Sequence, residues 1–446
     1  MYFSLLFAVP MIQAEISGVG VIGHFFTMHY SRLLALALLL PAFLHMRMQP
    51  DTEPFGRSIY DKLFLGFFLL QFLLMLSATS FTDSLRQRVF YVFIDAFLPY
   101  YVASRALKNL QEFRDALMSF AVAVMVLAAI AVFELWSHWL LYASLGDALG
   151  VGWGYGSYLE RETGGPLRAQ VTTGQPIALG YVMAVAVGLF LCLRRWSSNS
   201  AYWILGLALL VAGLIAAISR GPWLGTVVML LIFIMTGPAP VRRSLMLGLF
   251  AVVLLAVLAA TPLGDKVVKY LPFVGTVEEE NVTGRQRLLQ IAISVISDNP
   301  FFGAYDYMYR FDEMRHGDAG FIDFVNTYVV IGLSSGLVGL SLFIGFFLLI
   351  AAGIFRSIRG LADRNSDLHV LGQALLSTLI GIMLIIFTTS SITVIPLVYW
   401  ALAGVGVAYL RMVAVAKNPL TIHEPLPSVR ARPETRSVRS FAHYGK

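Results

Sequence analysis

Apolar residues fill most of this chain in stretches too long and too unbroken for an alternating strand, with short polar breaks between them. Such stretches lie near residues 4–23, 32–47, 61–79, 89–106, 116–137, 175–193, 202–218, 222–236, 244–262, 326–355, 370–388 and 394–413. A segment in hydrocarbon must satisfy its own backbone, so the pattern predicts an all-α polytopic membrane bundle of about twelve transmembrane helices. The first stretch lacks a basic flank and a small-residue cleavage site and is expected to be retained as a helix. Polar positions gather between the ninth and tenth spans, where 263–325 is expected to form a large extracytoplasmic loop containing short helices. The membrane domain is then 1–417. Residues 418–446, rich in Pro, Arg and Ser and without apolar periodicity, read as a disordered cytoplasmic tail.

Composition sharpens this reading. Hydrophobic residues make up 58% of the 446 and charged residues only 13%, about half the charge of a soluble domain, which excludes soluble globular, disordered, collagen-like and coiled-coil classes. The formal charge of +6 is first a matter of topology, and no nucleic-acid partner is inferred. With the N-terminus inside, fifteen Lys and Arg residues between Arg47 and Lys417 fall on the cytoplasmic side, against Arg32, Arg86, Arg88 and Arg220 in the short outer loops. That bias puts both termini in the cytoplasm. Cys192 is the single cysteine, so no intramolecular disulfide and no multi-cysteine metal site can form.

The outer loop contains a legible helix. Thr283 and Gln286 have the spacing of a capping box, and Asp298-Asn299-Pro300 is a stop. Arg285 and Arg287 would then sit in a first turn, where unpaired N–H groups and two guanidiniums make an anion site. The plainer alternative pairs them with Glu278, Glu279 and Glu280 on a solvated face. A second candidate is Ile218-Ser219-Arg220-Gly221-Pro222, where a lone arginine interrupts two apolar spans. It reads either as a snorkelling headgroup contact or as a tight turn opening toward a cavity. Asp95, also within a span, is expected to hold an arginine such as Arg220. Gly332 and Gly336 have the four-residue spacing of close helix packing. Trp153, Tyr155, Tyr305, Tyr307 and Tyr309 form an interfacial belt or stack on sugars.

Taken in order, Ser219-Arg220-Gly221, Thr283-Gly284-Arg285-Gln286-Arg287, Asp298-Asn299-Pro300-Phe301-Phe302-Gly303 and Asn326-Thr327-Tyr328 before Gly336-Leu337-Val338-Gly339-Leu340 resemble the bacterial O-antigen ligase and polysaccharide polymerase family over roughly residues 200–345. The resemblance implies a metal-independent inverting glycosyltransferase of the bacterial inner membrane, needing no cofactor. Its partners would be an undecaprenyl diphosphate-linked glycan, a glycan or lipid A core acceptor, membrane lipids and polysaccharide assembly proteins. On that likeness Arg220 and Arg285 hold the diphosphate and Arg287 assists. Ligases of the family carry a His-Asn pair where this chain has Val325-Asn326, which leaves Asp323 or His316 as the expected base and turns the reading toward a polymerase or an exopolysaccharide ligase. The competing class is a lipid-linked oligosaccharide flippase, although no internal repeat favours a transporter.

Overall fold

The computed structural model describes residues 1–10, 13–17, 24–77, 89–143, 145, 148, 165–259, 279–304, 307–308, 311 and 324–417. The tail from 418 and most of the predicted outer loop lie outside them.

The chain begins with a short helix α1 (Tyr2–Leu5) and an antiparallel hairpin, β1 (Gln13–Ser17) paired with β2 (His24–His29). This corrects the first predicted span. Gln13, Glu15 and Ser17 alternate with Ala14 and Ile16, a period of two, and Gly18, Gly20 and Gly23 follow. The alternation favours a strand and the glycines oppose a helix, whereas a hydropathy average over the whole stretch hides both.

Helices follow: α2 (Tyr30–Met48), α3 (Ile59–Leu76), α4 (Leu98–Ala106), α5 (Leu110–Ser137), α6 (Pro176–Leu193), α7 (Ser200–Ala216) and α8 (Arg220–Met235). After them come α9 (Pro240–Ala259), α10 (Glu279–Asp298), α11 (Thr327–Arg359), α12 (Asp367–Ile386) and α13 (Ile395–Lys417). Among the described residues seven helices are long and apolar enough to cross a membrane, and α7 and α8 are shorter apolar helices. Exposed Leu65, Leu69 and Leu73 on α3 and Leu245, Leu249 and Val252 on α9 recur at helical spacing, as lipid-facing stripes do. The protein is a multi-pass membrane protein.

The bundle is built around α6, which is almost wholly buried and touches α5, α7, α8 and α12. Small residues allow that crowding: a Cβ at Gly180 would come within 3.0 Å of Pro222 on α8, and one at Gly188 would overlap the Thr378 hydroxyl of α12. On the other side of α12, α11 and α13 pack with α3 and α4 through an aromatic layer. There Tyr100 stacks on Phe64 at 4.7 Å, and Trp400 meets Phe64, Phe68 and Phe343 at 5.1–5.9 Å. Extra-wide π-helical turns at Ala35–Leu39 and Phe93–Phe97 each precede a proline, Pro41 or Pro99. The added residue relieves the clash of the ring with the preceding turn.

Candidate functional site

The ends of α5, α7 and α12 and the starts of α6, α8, α11 and α13 lie at one end of the bundle, and the candidate site is built there. Arg220 is the first residue of α8 and is half-buried. Ser219 precedes it with only 2% of its surface exposed, yet its hydroxyl makes no capping bond. Side chains cap α3, α5, α7, α11 and α12 from Ser58, Asn109, Asn199, Asn326 and Ser366. Without such a cap the first turn of α8 keeps donors that an anion can use, and a cation at this end of a helix is favourable only beside negative charge. A Cβ at Gly221 would overlap the Thr388 hydroxyl, so the start of α8 is pressed against the turn between α12 and α13. Only glycine allows that approach.

That turn is tied to α11. The Thr327 amide and hydroxyl both donate to the Thr389 carbonyl, at 3.1 and 2.8 Å. The Thr327 hydroxyl also lies 3.0 Å from Ser391, whose hydroxyl is 3.2 Å from that of Tyr399. Asn326 caps α11 by accepting from the amides of Tyr328 and Val329.

On the far side, Glu134 in the last turn of α5 accepts from the backbone N–H groups of Leu141, Gln170 and Val171 at 3.2, 2.9 and 3.0 Å. The stretch carrying Arg168 and Gln170 is thereby fixed, and the Ala169 N–H donates to the Ala216 carbonyl at the end of α7. The Gln170 side chain is buried with neither amide atom hydrogen-bonded. Sequence reasoning passed over Glu134, although the argument that singled out Asp95, a lone carboxylate within an apolar span, applies to it equally.

Four β-branched residues at this end adopt positive φ: Val171 at 48°, Ile218 at 43°, Val325 at 47° and Thr393 at 48°. Each costs about 1–3 kcal/mol and persists only where the surroundings impose it, a pattern characteristic of functional sites. Ile218 stands two residues before Arg220 and Val325 directly before Asn326.

Three sequence expectations are corrected. Asp95 pairs with Arg32, whose Nε and Nη2 donate to it at 3.0 and 2.7 Å, and not with Arg220. Helix α10 begins at Glu279, before Thr283, so Arg285 and Arg287 sit in its second and third turns and the first turn carries Glu279 and Glu280. Continuing the helix through Thr283 adds backbone hydrogen bonds that a cap there would forgo. The predicted stop at Asp298 holds. Arg287 is exposed, while the side chain of Arg285 and the whole of Asp323 and His316 lie outside the described residues. So do Trp153, Tyr155, Tyr305, Tyr309, Arg86, Arg88 and Glu278.

The third correction concerns Gly336. Gly332 does pack, 3.1 Å from Ile296 of α10 by its built Cβ, but Gly336 breaks α11 with φ 62° and ψ −167°. The chain following α10 fills the break. The Leu337 and Val338 amides donate to the carbonyls of Pro300 and Phe301 at 2.8 and 3.1 Å, and the Ala304 amide donates to Leu333 at 2.8 Å. Backbone groups freed by a broken membrane helix must find partners within the protein, and here they do. Helix α10 is thereby docked on α11. Among the described residues no cluster of His, Cys, Asp and Glu has the grouping of a metal site.

Residues 205–344, which take in Arg220, α10 and the Gly336 break, match the family model described as O-antigen ligase. Over these residues the chain is similar to the O-antigen ligase family. The match covers about a third of the chain and coincides with the stretch carrying the resemblance in sequence. It supports glycan transfer of the O-antigen ligase type and gives no support to a flippase. No curated protein matches the chain.

Proposed function

We propose that the protein moves a glycan from an undecaprenyl diphosphate carrier to an acceptor hydroxyl at the outer face of the bacterial inner membrane, as a surface polysaccharide polymerase or ligase. The observation that carries the reading is the start of α8. Arg220 follows a strained residue and a buried serine that does not cap, inside the O-antigen ligase segment. A half-buried guanidinium at an uncapped helix start suits a pyrophosphate, which takes up both the fork of donors and the positive end of the helix.

In this reading the acceptor oxygen attacks the anomeric carbon from the face opposite the carrier. The C–O bond to the diphosphate breaks and the configuration inverts. Arg220, Arg285 and Arg287 neutralise the charge that develops on the departing undecaprenyl diphosphate, so no metal is required. The hydroxyl proton passes to Asp323 or His316. Lysine and arginine bias orients the site end outward, with the C-terminus inside.

Purified protein in lipid nanodiscs, given a carrier-linked glycan, an acceptor and a chelator, should release free undecaprenyl diphosphate. A ladder of products marks a polymerase and a single transfer a ligase. Carrier glycan that crosses the bilayer without being cleaved would restore the flippase, and no release with either acceptor class would overturn the proposal.

A further inference from the structure

Helix α10 packs one face on the start of α11: Ala292 and Val295 are buried with Leu333, and Leu288 and Ile296 lie against them. Two other strips run along the helix. Leu289 and Ile293, beside the packed face, are 46% and 56% exposed, and Gln286, Gln290, Ser294 and Ser297 are exposed farther round. At about 3.6 residues per turn the order round the helix is packed, apolar and polar. The turn after α10 is also apolar and exposed. Phe301 and Phe302 are 67% and 53% exposed, and the bonds from the Leu337 and Val338 amides to Pro300 and Phe301 set them beside Leu337, which is exposed as well.

The rest of α11 gives the depth of this patch. After the Gly336 break, Leu337, Ile344, Leu348 and Phe355 follow at intervals of seven, four and seven, exposed or half-buried, as one stripe of a helix apolar enough to cross a membrane. The exposed Arg356 and Arg359 close that stripe and belong at the cytoplasmic boundary. Leu337 stands 19 positions before Arg356, about 29 Å along a helix, and the hydrocarbon core is about 30 Å thick. Leu337 therefore lies at the outer edge of the hydrocarbon, and Phe301 and Phe302 lie there with it.

We infer that the apolar strip of α10 and the Phe301-Phe302 turn rest in the outer leaflet, with phospholipid as their partner and the polar strip in the aqueous layer above. Neither extreme fits the two strips. Full immersion would strip the water from the exposed Gln286, Arg287 and Gln290. Full exposure would hold two phenylalanines in water at the head of a lipid-facing stripe. A helix at the interface serves both. In the transferase reading this keeps Arg287 at the depth of a lipid-linked pyrophosphate, but the inference stands on the geometry alone.

Cys192, the single native cysteine, is fully buried, so one cysteine added at the surface can carry a nitroxide, with the unsubstituted chain as the blank. Ile293→Cys and Phe302→Cys are the reporters, Gln290→Cys the water-facing reference and Leu348→Cys the lipid-facing one. All four side chains are exposed, so the changes leave the core intact. In nanodiscs of phosphatidylethanolamine and phosphatidylglycerol without substrate, accessibility to oxygen, which concentrates in lipid, is divided by accessibility to a water-soluble nickel chelate. The ratio at Ile293 and at Phe302 should be several times that at Gln290 and approach that at Leu348. A ratio at either reporter equal to that at Gln290 would overturn the inference. So would shielding from both reagents, which would mean a protein partner over the patch. With no substrate present, neither failure bears on the transferase reading, and a loss of glycan transfer would leave the lipid contact standing.

Discussion

Gly303 and Gly336, 33 positions apart in sequence, each occupy a positive φ and each lie against the main chain of the other's segment: a Cβ on Gly303 would overlap the Leu333 carbonyl and come within 2.7 Å of the Gly336 nitrogen, and one on Gly336 would overlap the Phe301 carbonyl. The two glycines thus lock α10 to the break in α11. At Gly336 the ψ of −167° is in a region essentially reserved for glycine. Gly336→Ala should therefore destabilise the protein by more than about 3 kcal/mol through strain and backbone displacement together. Gly332→Ala, which meets only the flexible tip of Ile296, should cost about 1 kcal/mol or less. Thermal unfolding in detergent compares them, and equal losses would contradict the lock.

The opposite end of the bundle is held by a buried ion pair. Asp61 accepts from Arg105 and from the Tyr100 hydroxyl, each at 2.8 Å, and Arg105 lies 4.3 Å over the ring of Tyr101. Both charges are hidden, with side-chain exposures of 0% and 1%. Removing one partner leaves the other buried and uncompensated, so Arg105→Met should cost about 3–5 kcal/mol. Asp61→Leu combined with Arg105→Met should recover most of that loss, giving a large coupling energy in a double-mutant cycle. Additive losses would show that the pair is not coupled.

Much of the bundle was legible because the hydrophobic requirement of a membrane span is written along one segment of chain. The seven long apolar helices follow from it, and the stop at Asp298 follows from the Asn299-Pro300 after it. What escaped depends on relations between segments. Nothing in the spacing says whether Asp95 faces Arg32 or Arg220, since that depends on the rotation of one helix against another. Gly332 and Gly336 look alike in sequence, yet one packs and one breaks the helix. The groups that satisfy the break are main-chain atoms of Pro300, Phe301 and Ala304, which leave no mark in residue type. Glu134 acts in the same way, through backbone donors.

Acid should loosen the junction between β2 and α2. Burial, and then the charge of Arg32, push the His29 imidazole from its ordinary 6.5 down to about 4. The folded state therefore resists a proton that the unfolded state accepts, so the stability present above about pH 6.5 is lost as pH falls through about 4. The thermal midpoint should drop between about pH 7.5 and about pH 4.5, and His29→Gln should show a shallower fall over the same window. Parallel slopes in the two proteins would assign the acid sensitivity to other groups.

Clamping of the Arg168–Gln170 stretch is open to a direct check. Glu134→Gln keeps the volume but replaces the charged acceptor of three N–H groups with a neutral one. A loss of about 1.5–3 kcal/mol is expected, with faster amide exchange at Gln170 and Val171. Unchanged exchange at those two amides would show that the carboxylate is not what fixes the segment.

If Arg220 and Arg285 grip one pyrophosphate, their effects cannot be independent. Arg220→Ala should lower kcat/KM about 100- to 1,000-fold, the usual effect of removing one donor to a developing anion. Arg220→Lys should fall between, because the charge remains but the fork that holds two oxygens is lost. Once one guanidinium is gone the leaving group is already poorly held, so adding Arg285→Ala should cost less than it does alone. Product of the single losses equal to the double loss would mean that the arginines act at separate places, and a pyrophosphate site shared by α8 and α10 would have to be abandoned.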